Sequence, residues 1–454
     1  MSETEDALDP STDRRLERLR TALDSGRLQR VQRLLHSLPT AEIALLLESM
    51  PIGERQVVWG LVDPEDRGEV LVHVAEEVRD GLIREMPIEE LVAATEGLEV
   101  DDLADLIENL PETVTQQLLR SMDLENRQRL EAVLSYPPDS AGGLMNTDTV
   151  TVRPDVSIDV VLRYLRLRGS LPEHTDALFV VDRTGRYLGV VSVNRLLTLD
   201  PELVIASVMD TEIRPIEVTA SATEVAKQFE NLDLVSAPVV NEQGILVGRI
   251  TVDDVMDVVR EEADHSLMSM AGLDEEEDLF APILRRTRRR AIWLGVNLIT
   301  AFIAARVVGL FEASIEQMVA LAVLMPVVAS MGGIAGSQTL VLTIRGLALG
   351  SIGTSNARSL LYKELAVAFA NGVFFGVIVA VVTALWFGNL MLGLVIALAL
   401  ALNQINGVLT GVWLPLLLRK LGIDPALAGS VVLTTFTDTG GFFMLLGLGT
   451  LILL

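Results

Sequence analysis

The chain has 454 residues, 62 acidic and 36 basic side chains, a net charge of −26 and a hydrophobic fraction of 50%. So acidic a protein is a poor partner for nucleic acid, because its carboxylates repel phosphates. The sequence contains no cysteine, which excludes disulfides, thiolate metal sites and cysteine nucleophiles. Its four histidines lie far apart and lack the spacing of a classical zinc site.

The charges are concentrated in the first two thirds of the chain. Only five acidic and six basic residues lie beyond residue 290, so residues 1–290 carry 57 acidic against 30 basic side chains. This asymmetry predicts an acidic soluble part followed by a nearly neutral apolar part. The first ten residues, MSETEDALDP, lack the apolar core of a signal peptide. We therefore expect residues 1–290 to remain in the cytoplasm.

Residues 1–135 predict an all-α domain. Leucines at helical spacing occur in AEIALLLESM and DDLADLIENL, and a Leu-Pro or Met-Pro pair recurs at Pro39, Pro51, Pro87 and Pro111. Proline is accepted in the first turn of a helix but not in its interior, so each pair is typical of one helix ending and the next beginning. The pattern predicts a helical superhelix of irregular period, without a catalytic motif.

An internal duplication follows the linker SYPPDSAGGLM. ALFVVDRTGRYLGVVSVNRLL at 177–197 aligns with APVVNEQGILVGRITVDDVM at 237–256, each with two β-rich runs around a glycine turn and then a helix start. The two copies resemble a CBS-domain pair, which implies an α/β fold and often an adenosine-nucleotide site. The ribose-phosphate signature is Thr or Ser followed three residues later by Asp. In the second copy, Thr251 and Asp254 match this signature, which assigns an ATP site to them. The first copy departs from it, because Ser192 is followed by Arg195.

Five stretches after the basic run RRTRRR are long and apolar enough to cross a bilayer. They lie near residues 291–311, 317–343, 360–387, 390–418 and 426–453. Basic residues flank alternate loops, which places residues 1–290 inside and the C-terminus outside. The second span contains MPVVASMGGIAGSQTL at 325–340. Its proline and glycines predict either tight helix packing or an unwound stretch that lines a polar path.

Asp438 is the only formal charge between Asp424 and the C-terminus. An unpaired carboxylate in a bilayer costs several kcal/mol, so such a residue faces a cavity, a partner or an ion path. Two interpretations are open: a structural pair with Arg306, or a water-facing site that attracts a cation. The neighbouring threonines and glycines supply hard oxygen donors, which suit Mg²⁺ or Ca²⁺.

A carboxylate-rich helix is predicted between the second copy and the first span, with acids at Asp253, Asp254, Asp257, Glu261, Glu262 and Asp264. Any one of them is adequately explained as part of a solvated face. Taken together, carboxylates on facing domains repel one another unless cations lie between them. Magnesium binds weakly through one or two carboxylates, so the cluster favours a sensor of the cell's own free cation.

The order of these parts resembles that of the MgtE family of magnesium channels. Two stretches carry the resemblance: PVVASMGGIAGSQTLVLTIRGLALG at 326–350 and DPALAGSVVLTTFTDTGG at 424–441. The resemblance implies a multi-domain fold. It comprises an all-α helical N-terminal superhelix (1–135), an α/β tandem CBS pair (136–200 and 201–260), a plug helix (261–290) and an α-helical transmembrane domain of five helices (291–454).

The resemblance further implies a homodimeric, non-enzymatic magnesium channel of the bacterial inner membrane, gated closed by cytoplasmic Mg²⁺. It assigns the pore site to Asp438, Thr435, Ser430 and Gly333. It assigns the cytoplasmic magnesium sensor to Asp257, Glu262, Asp254, Asp101 and Asp105. Two other functions stay open: a sodium-coupled Mg²⁺ exchanger, and a membrane-anchored CBS regulatory protein.

The chain departs from the family pattern at several polar positions. Ile334 and Ser337 stand in place of asparagines in the glycine-rich stretch, and Ser430 stands where asparagine is common. His265 and Ser266 interrupt an acidic run at the start of the plug helix. These changes remove amides near the expected pore and acids from the expected sensor.

Overall fold

The computed structural model describes residues 19–23, 25–108, 110–273, 278–348, 351–353 and 356–454, which form two compact units. The first unit comprises the described residues up to Ala263 together with residues 278–281. The second comprises those from Asp264 to residue 273 and from Pro282 to Leu454. Residues 1–10, which were predicted not to be a signal peptide, lie outside the described residues.

The N-terminal domain is helical, as predicted. Its described helices are Leu28–Leu35 (α1), Thr40–Glu48 (α2), Ile52–Trp59 (α3), Arg67–His73 (α4), Glu76–Ile83 (α5), Ile88–Thr95 (α6), Val100–Glu108 (α7), Glu112–Ser121 (α8) and Leu124–Val133 (α9). Pro39, Pro51, Pro87 and Pro111 each occupy the position just before a helix, so the predicted proline boundaries are confirmed. The buried apolar side chains of α1–α6 share one core, whereas those of α8 and α9 pack in a second core with Ile216, Val239 and Ile250, and α7 contributes to both. This burial compensates for the marginal stability of each short helix alone.

The duplication forms two copies of one α/β unit. The first contains Thr151–Val152 (β1), Ile158–Arg168 (α10), Ala177–Val181 (β2), Tyr187–Ser192 (β3), Val193–Thr198 (α11) and Ile205–Val208 (α12). The second contains Ile216–Glu217 (β4), Ala222–Leu232 (α13), Ser236–Val240 (β5) and Leu246–Thr251 (β6). In both sheets the second strand lies in the middle, parallel to the first strand and antiparallel to the third.

The two copies also match in detail. Gly189 pairs with Val180 in the first, and Gly248 pairs with Val239 in the second. A Cβ at Gly189 would lie 2.4 Å from the carbonyl oxygen of Asp210, and one at Gly248 would lie 2.8 Å from Met145 Sδ. Both repeats therefore require glycine because another segment passes directly over the third strand.

The predicted acidic helix is observed as Val252–Met270 (α14), which begins at the residue after β6. Five long apolar helices follow: Ile283–Gly309 (α15), Ala320–Ala348 (α17), Ala357–Phe387 (α18), Leu390–Lys420 (α19) and Pro425–Leu453 (α20). A short helix, Glu312–Gln317 (α16), lies between the first two. The predicted multi-domain fold, with its helical domain, CBS pair and five apolar helices, is confirmed.

Glycines decide how the second and fourth apolar helices pack. α17 is continuous through Pro326, so the described residues do not show the unwound stretch that was one of two expectations. A Cβ at Gly407 would lie 2.4 Å from the carbonyl oxygen of Gly332, and one at Gly411 would lie 2.7 Å from that of Gly336. The two backbones touch, which is the tight packing that small residues permit in membranes.

We predict that Gly407→Ala destabilises the membrane unit by about 1–3 kcal/mol, the usual cost of overpacking. The added methyl group would force α17 and α19 apart. Gly295→Ala is the matched control, because a Cβ at Gly295 meets no atom within 4 Å. Thermal unfolding of both purified variants in one detergent should show a lower midpoint for Gly407→Ala alone. Equal midpoints for the two variants would contradict the close backbone contact between α17 and α19.

Candidate functional site

Asp438 lies near the middle of α20 and is half-buried. Among the described residues it forms no hydrogen bond and no ion pair, and burial is the sole influence acting on its carboxyl group. Arg306 on α15 likewise has no carboxylate within ion-pair distance in the described part of the chain. The structure therefore does not form the Asp438–Arg306 pair, and the carboxylate keeps its capacity to bind a cation.

The other predicted pore residues lie on the same helix or face it. Ser430 and Asp438 are eight residues apart, so with Thr434 between them they follow one face of α20. Thr435 lies three residues before Asp438, and its hydroxyl donates to the carbonyl of Val431 at 2.8 Å. Gly333 of α17 faces this stretch, because a Cβ there would lie 3.7 Å from Thr437 Oγ1. A hydroxyl that donates to the backbone retains lone pairs for a cation or its water.

Two asparagines of the fourth apolar helix, which the sequence analysis missed, hold this region together. Asn403 is fully buried, and its Nδ2 donates to the carbonyl oxygen of Val328 on α17 at 2.9 Å. Asn406 Nδ2 donates to the carbonyl oxygen of Phe436 on α20 at 3.0 Å and to Asn403 Oδ1 at 3.3 Å. The expected amides are absent from α17, but α19 supplies amides that connect α17 to α20 beside Asp438.

Further polar groups lie between the apolar helices. Thr339 Oγ1 on α17 donates to Glu364 on α18 at 3.0 Å. Gln404 on α19 is 2% exposed, and its Oε1 accepts no hydrogen bond within the described residues. Such groups are costly in a membrane anchor, since each must find a partner away from water. They are typical of a bundle that encloses a polar path.

A second site lies in the first unit, where α7 of the helical domain meets the start of α14. Asp101 and Asp102 occupy the first turn of α7, and Asp254 lies in the first turn of α14. Burial, then the charges of Asp102 and Glu99, raises the pKa of Asp101 to about 7. Burial, then Asp254 and Asp105, raises the pKa of Asp102 to about 7.

The pKa of a third carboxyl group beside Asp101 and Asp102 is raised for the same reasons. Burial, followed by the charge of Asp101, raises the pKa of Asp254 to about 8. Its Oδ2 accepts hydrogen bonds from the backbone N and Oγ1 of Thr251, both at 3.0 Å, so the two nucleotide-signature residues bind each other. We call Asp101, Asp102 and Asp254 the acidic cluster. Asp102 was not predicted, although it adjoins Asp101 in the sequence.

The remaining predicted sensor residues differ in position. Burial raises the pKa of Asp257 despite the nearby charges of Arg260 and His73. Asp105 lies one turn after Asp101 on α7 and acts on Asp102 through its charge. Glu262 is exposed on α14, and the structure does not bring it to the acidic cluster.

The acidic cluster offers charge rather than a complete set of ligands. In the described parts of the chain, no three His, Asp or Glu side chains converge in metal-binding geometry. Magnesium retains several waters and binds through one or two carboxylates, so a hydrated ion suits this arrangement. A cation here would remove the mutual repulsion that adds to the effect of burial on the three pKa values.

Comparisons with known proteins agree with this architecture. The family model for the MgtE divalent cation transporter matches residues 325–448, and that for the MgtE intracellular N domain matches residues 38–139. The CBS-domain model matches residues 141–202 and 205–261. The fold and its sites define a multi-pass membrane protein with a helical domain and a CBS pair.

Two relatives identify the family. The magnesium transporter MgtE of Thermus thermophilus is 32% identical over 338 residues, which cover 73% of this chain and 74% of that protein. The magnesium transporter MgtE of Bacillus subtilis is 31% identical over 330 residues, 73% of each chain. This chain belongs to the MgtE family.

Two solved structures are similar to part of this chain. The cytosolic domain of the Mg²⁺ channel MgtE in complex with ATP is 32% identical and covers 53% of this chain and 98% of that one, with a TM-score of 0.49. The soluble part of a magnesium transporter is 21% identical and covers 56% of this chain and 100% of that one, with a TM-score of 0.48.

The raised pKa values predict how pH and Mg²⁺ affect the acidic cluster. The folded state binds more protons than the unfolded state, so its stability is greatest below the unfolded pKa, about 4, and falls as pH rises through the folded values of about 7 to 8. In metal-free buffer, amide exchange in α7 and the start of α14 should therefore be slower at pH 6 than at pH 8, after correction for intrinsic rates. Mg²⁺ should slow exchange more at pH 8. Amide exchange that does not change with pH would contradict the raised pKa values of the acidic cluster.

Proposed function

We propose that this protein is a homodimeric magnesium channel that imports Mg²⁺ down its electrochemical gradient and closes when cytoplasmic Mg²⁺ is abundant. The observation that carries the proposal is Asp438, a carboxylate in an apolar helix with no fixed partner among the described residues. Its neighbours are hydroxyl and backbone oxygens, which suit a hydrated hard cation. The membrane potential would drive entry with about 2.3 kcal/mol per elementary charge per 100 mV.

The proposal includes a second copy of the chain. Asp438 is only half-buried, and Phe436 and Phe443 on the same helix are exposed. A carboxylate that faces lipid costs several kcal/mol, whereas a two-fold partner would enclose it and contribute a second Asp438. The basic residues of α15 and the loop ends favour a cytoplasmic N-terminal part and an outward C-terminus.

Closure would depend on the acidic cluster, with Asp257, Asp105 and Glu262 as further carboxylates of the sensor. The three clustered carboxyl groups repel one another when no cation is bound. A cation that binds better when α7 and α14 are held together shifts the equilibrium towards that form. We propose that this form is the closed one. ATP would bind at Thr251 and Asp254, so nucleotide and cation would be linked through one carboxylate.

Replacing Asp438 by Asn should abolish Mg²⁺ conduction, since the amide keeps the shape but loses the charge. The measurement is Mg²⁺ uptake into sodium-free liposomes under an inside-negative potential. Glu316→Gln, in a short helix outside the apolar spans, is the matched control and should conduct normally. Undiminished uptake by Asp438→Asn would exclude the role of this carboxylate. Wild-type uptake that requires internal sodium would instead indicate an exchanger, and no uptake by well-folded protein would favour the regulatory function.

The double substitution Asp101→Asn with Asp254→Asn should remove the regulation of flux by cytoplasmic Mg²⁺. Closing would no longer create a binding site for the cation, so flux at low and at saturating Mg²⁺ should become similar. Glu230→Gln with Glu242→Gln, two exposed acids of the second CBS repeat, is the control and should keep the wild-type response. An unchanged inhibition curve in the double asparagine variant would place the sensor elsewhere.

A further inference from the structure

A buried ion pair joins two parts of the first unit that are 223 residues apart in sequence. The guanidinium of Arg55 on α3 donates to both carboxylate oxygens of Asp278, from Nη1 to Oδ2 at 2.8 Å and from Nη2 to Oδ1 at 3.0 Å. Arg55 is 4% exposed and Asp278 is 7% exposed. The geometry is the bidentate form, which is directional as well as strong.

The helical domain provides a complete binding site for this carboxylate. Arg55 Nε donates to the carbonyl oxygen of Leu47 at 2.9 Å, and Nη2 also donates to that of Met50 at 3.0 Å. These two bonds lie within the helical domain, so the orientation of the guanidinium does not depend on Asp278 alone. Glu77 on α5 accepts a hydrogen bond from the backbone N of Asp278 at 2.8 Å. The pocket therefore recognises both the side chain and the main chain of one residue.

The bound segment is a compact turn. Asp278 Oδ1 accepts from the backbone N of Phe280 at 2.9 Å, and the carbonyl oxygen of Asp278 accepts from the N of Ala281 at 3.1 Å. Ala281 is buried. Pro282 follows, and the first apolar helix begins at Ile283. The helical domain thus holds the turn at 278–281, which ends two residues before the first span begins at Ile283.

We propose that the Arg55 pocket is a docking site for the turn at 278–281, and that it couples the helical domain directly to the first span. The helical domain then has two connections to the membrane helices, one through the CBS pair and α14 and one through this turn. An ion pair persists only while its atoms stay within about 4 Å. A larger displacement of the domain must therefore break the pair or move the start of α15. This coupling concerns regulation of the pore and rests on the proposed function.

Asp278→Asn in the full chain tests the proposal, because it removes the charge and leaves the shape. Amide exchange at Asp278 reports docking directly, since its N–H is bonded to Glu77 of the helical domain, whereas the N–H groups of Phe280 and Ala281 are bonded within the turn and report its local order. We expect exchange in 278–281 to rise at least about tenfold, while α6 remains protected and shows the domain still folded. The flux assay should require at least about tenfold more cytoplasmic Mg²⁺ for half-closure. Asp80→Asn, which breaks the exposed Arg84–Asp80 pair of the same domain, is the matched control.

Each outcome decides one part of the proposal. Unchanged exchange in 278–281 would overturn the docking site. Faster exchange with a wild-type inhibition curve would overturn the coupling. Arg55→Lys, which keeps the charge and loses the bidentate fork, should raise exchange in the same turn. Because exchange is read without flux, the docking site is tested even if the wild-type protein fails to transport Mg²⁺.

Discussion

A carboxylate withdrawn from water must be neutralised by a proton, a cation or a fixed partner, and this constraint explains the three main features of the protein. Asp278 has a fixed partner in Arg55. The acidic cluster has hydrogen-bond donors but no ion pair within the described residues, and its pKa values rise until protonation competes near neutral pH. Asp438 lies in an apolar helix without a partner in the described chain. The last two are places where a cation would lower the free energy by neutralising a buried charge.

The position of Asp438 depends on α19. This is the most buried of the five apolar helices, and its Gly407 and Gly411 bring it into backbone contact with α17. At that distance Asn403 and Asn406 can reach backbone carbonyls on α17 and α20. Amides that bind the backbone fix helix positions without adding charge, so the polar region is held rigid while the carboxylate stays available.

The first unit has the opposite character, because its key contacts depend on charge. The acidic cluster joins the helical domain to α14, and α14 continues from β6 without a linker. A change in cation occupancy at Asp254 would therefore act on α14 itself, which continues to Met270. The Arg55 pocket holds the chain just before α15 by a contact that needs no cation. A cation would change the charge of the acidic cluster, whereas the Arg55–Asp278 pair is neutralised within the protein.

The sequence by itself determined the features that depend on local composition. Prolines mark four helix boundaries, a repeated strand–glycine–strand pattern defines two α/β copies, and apolar length defines five spans. The isolation of Asp438 was also visible, because charge is scarce around it. The tertiary structure alone decided which distant residues meet: Asp102 with Asp254, Asn403 with Val328, and Arg55 with Asp278. A single sequence records composition and spacing, whereas these pairings follow from how whole helices pack.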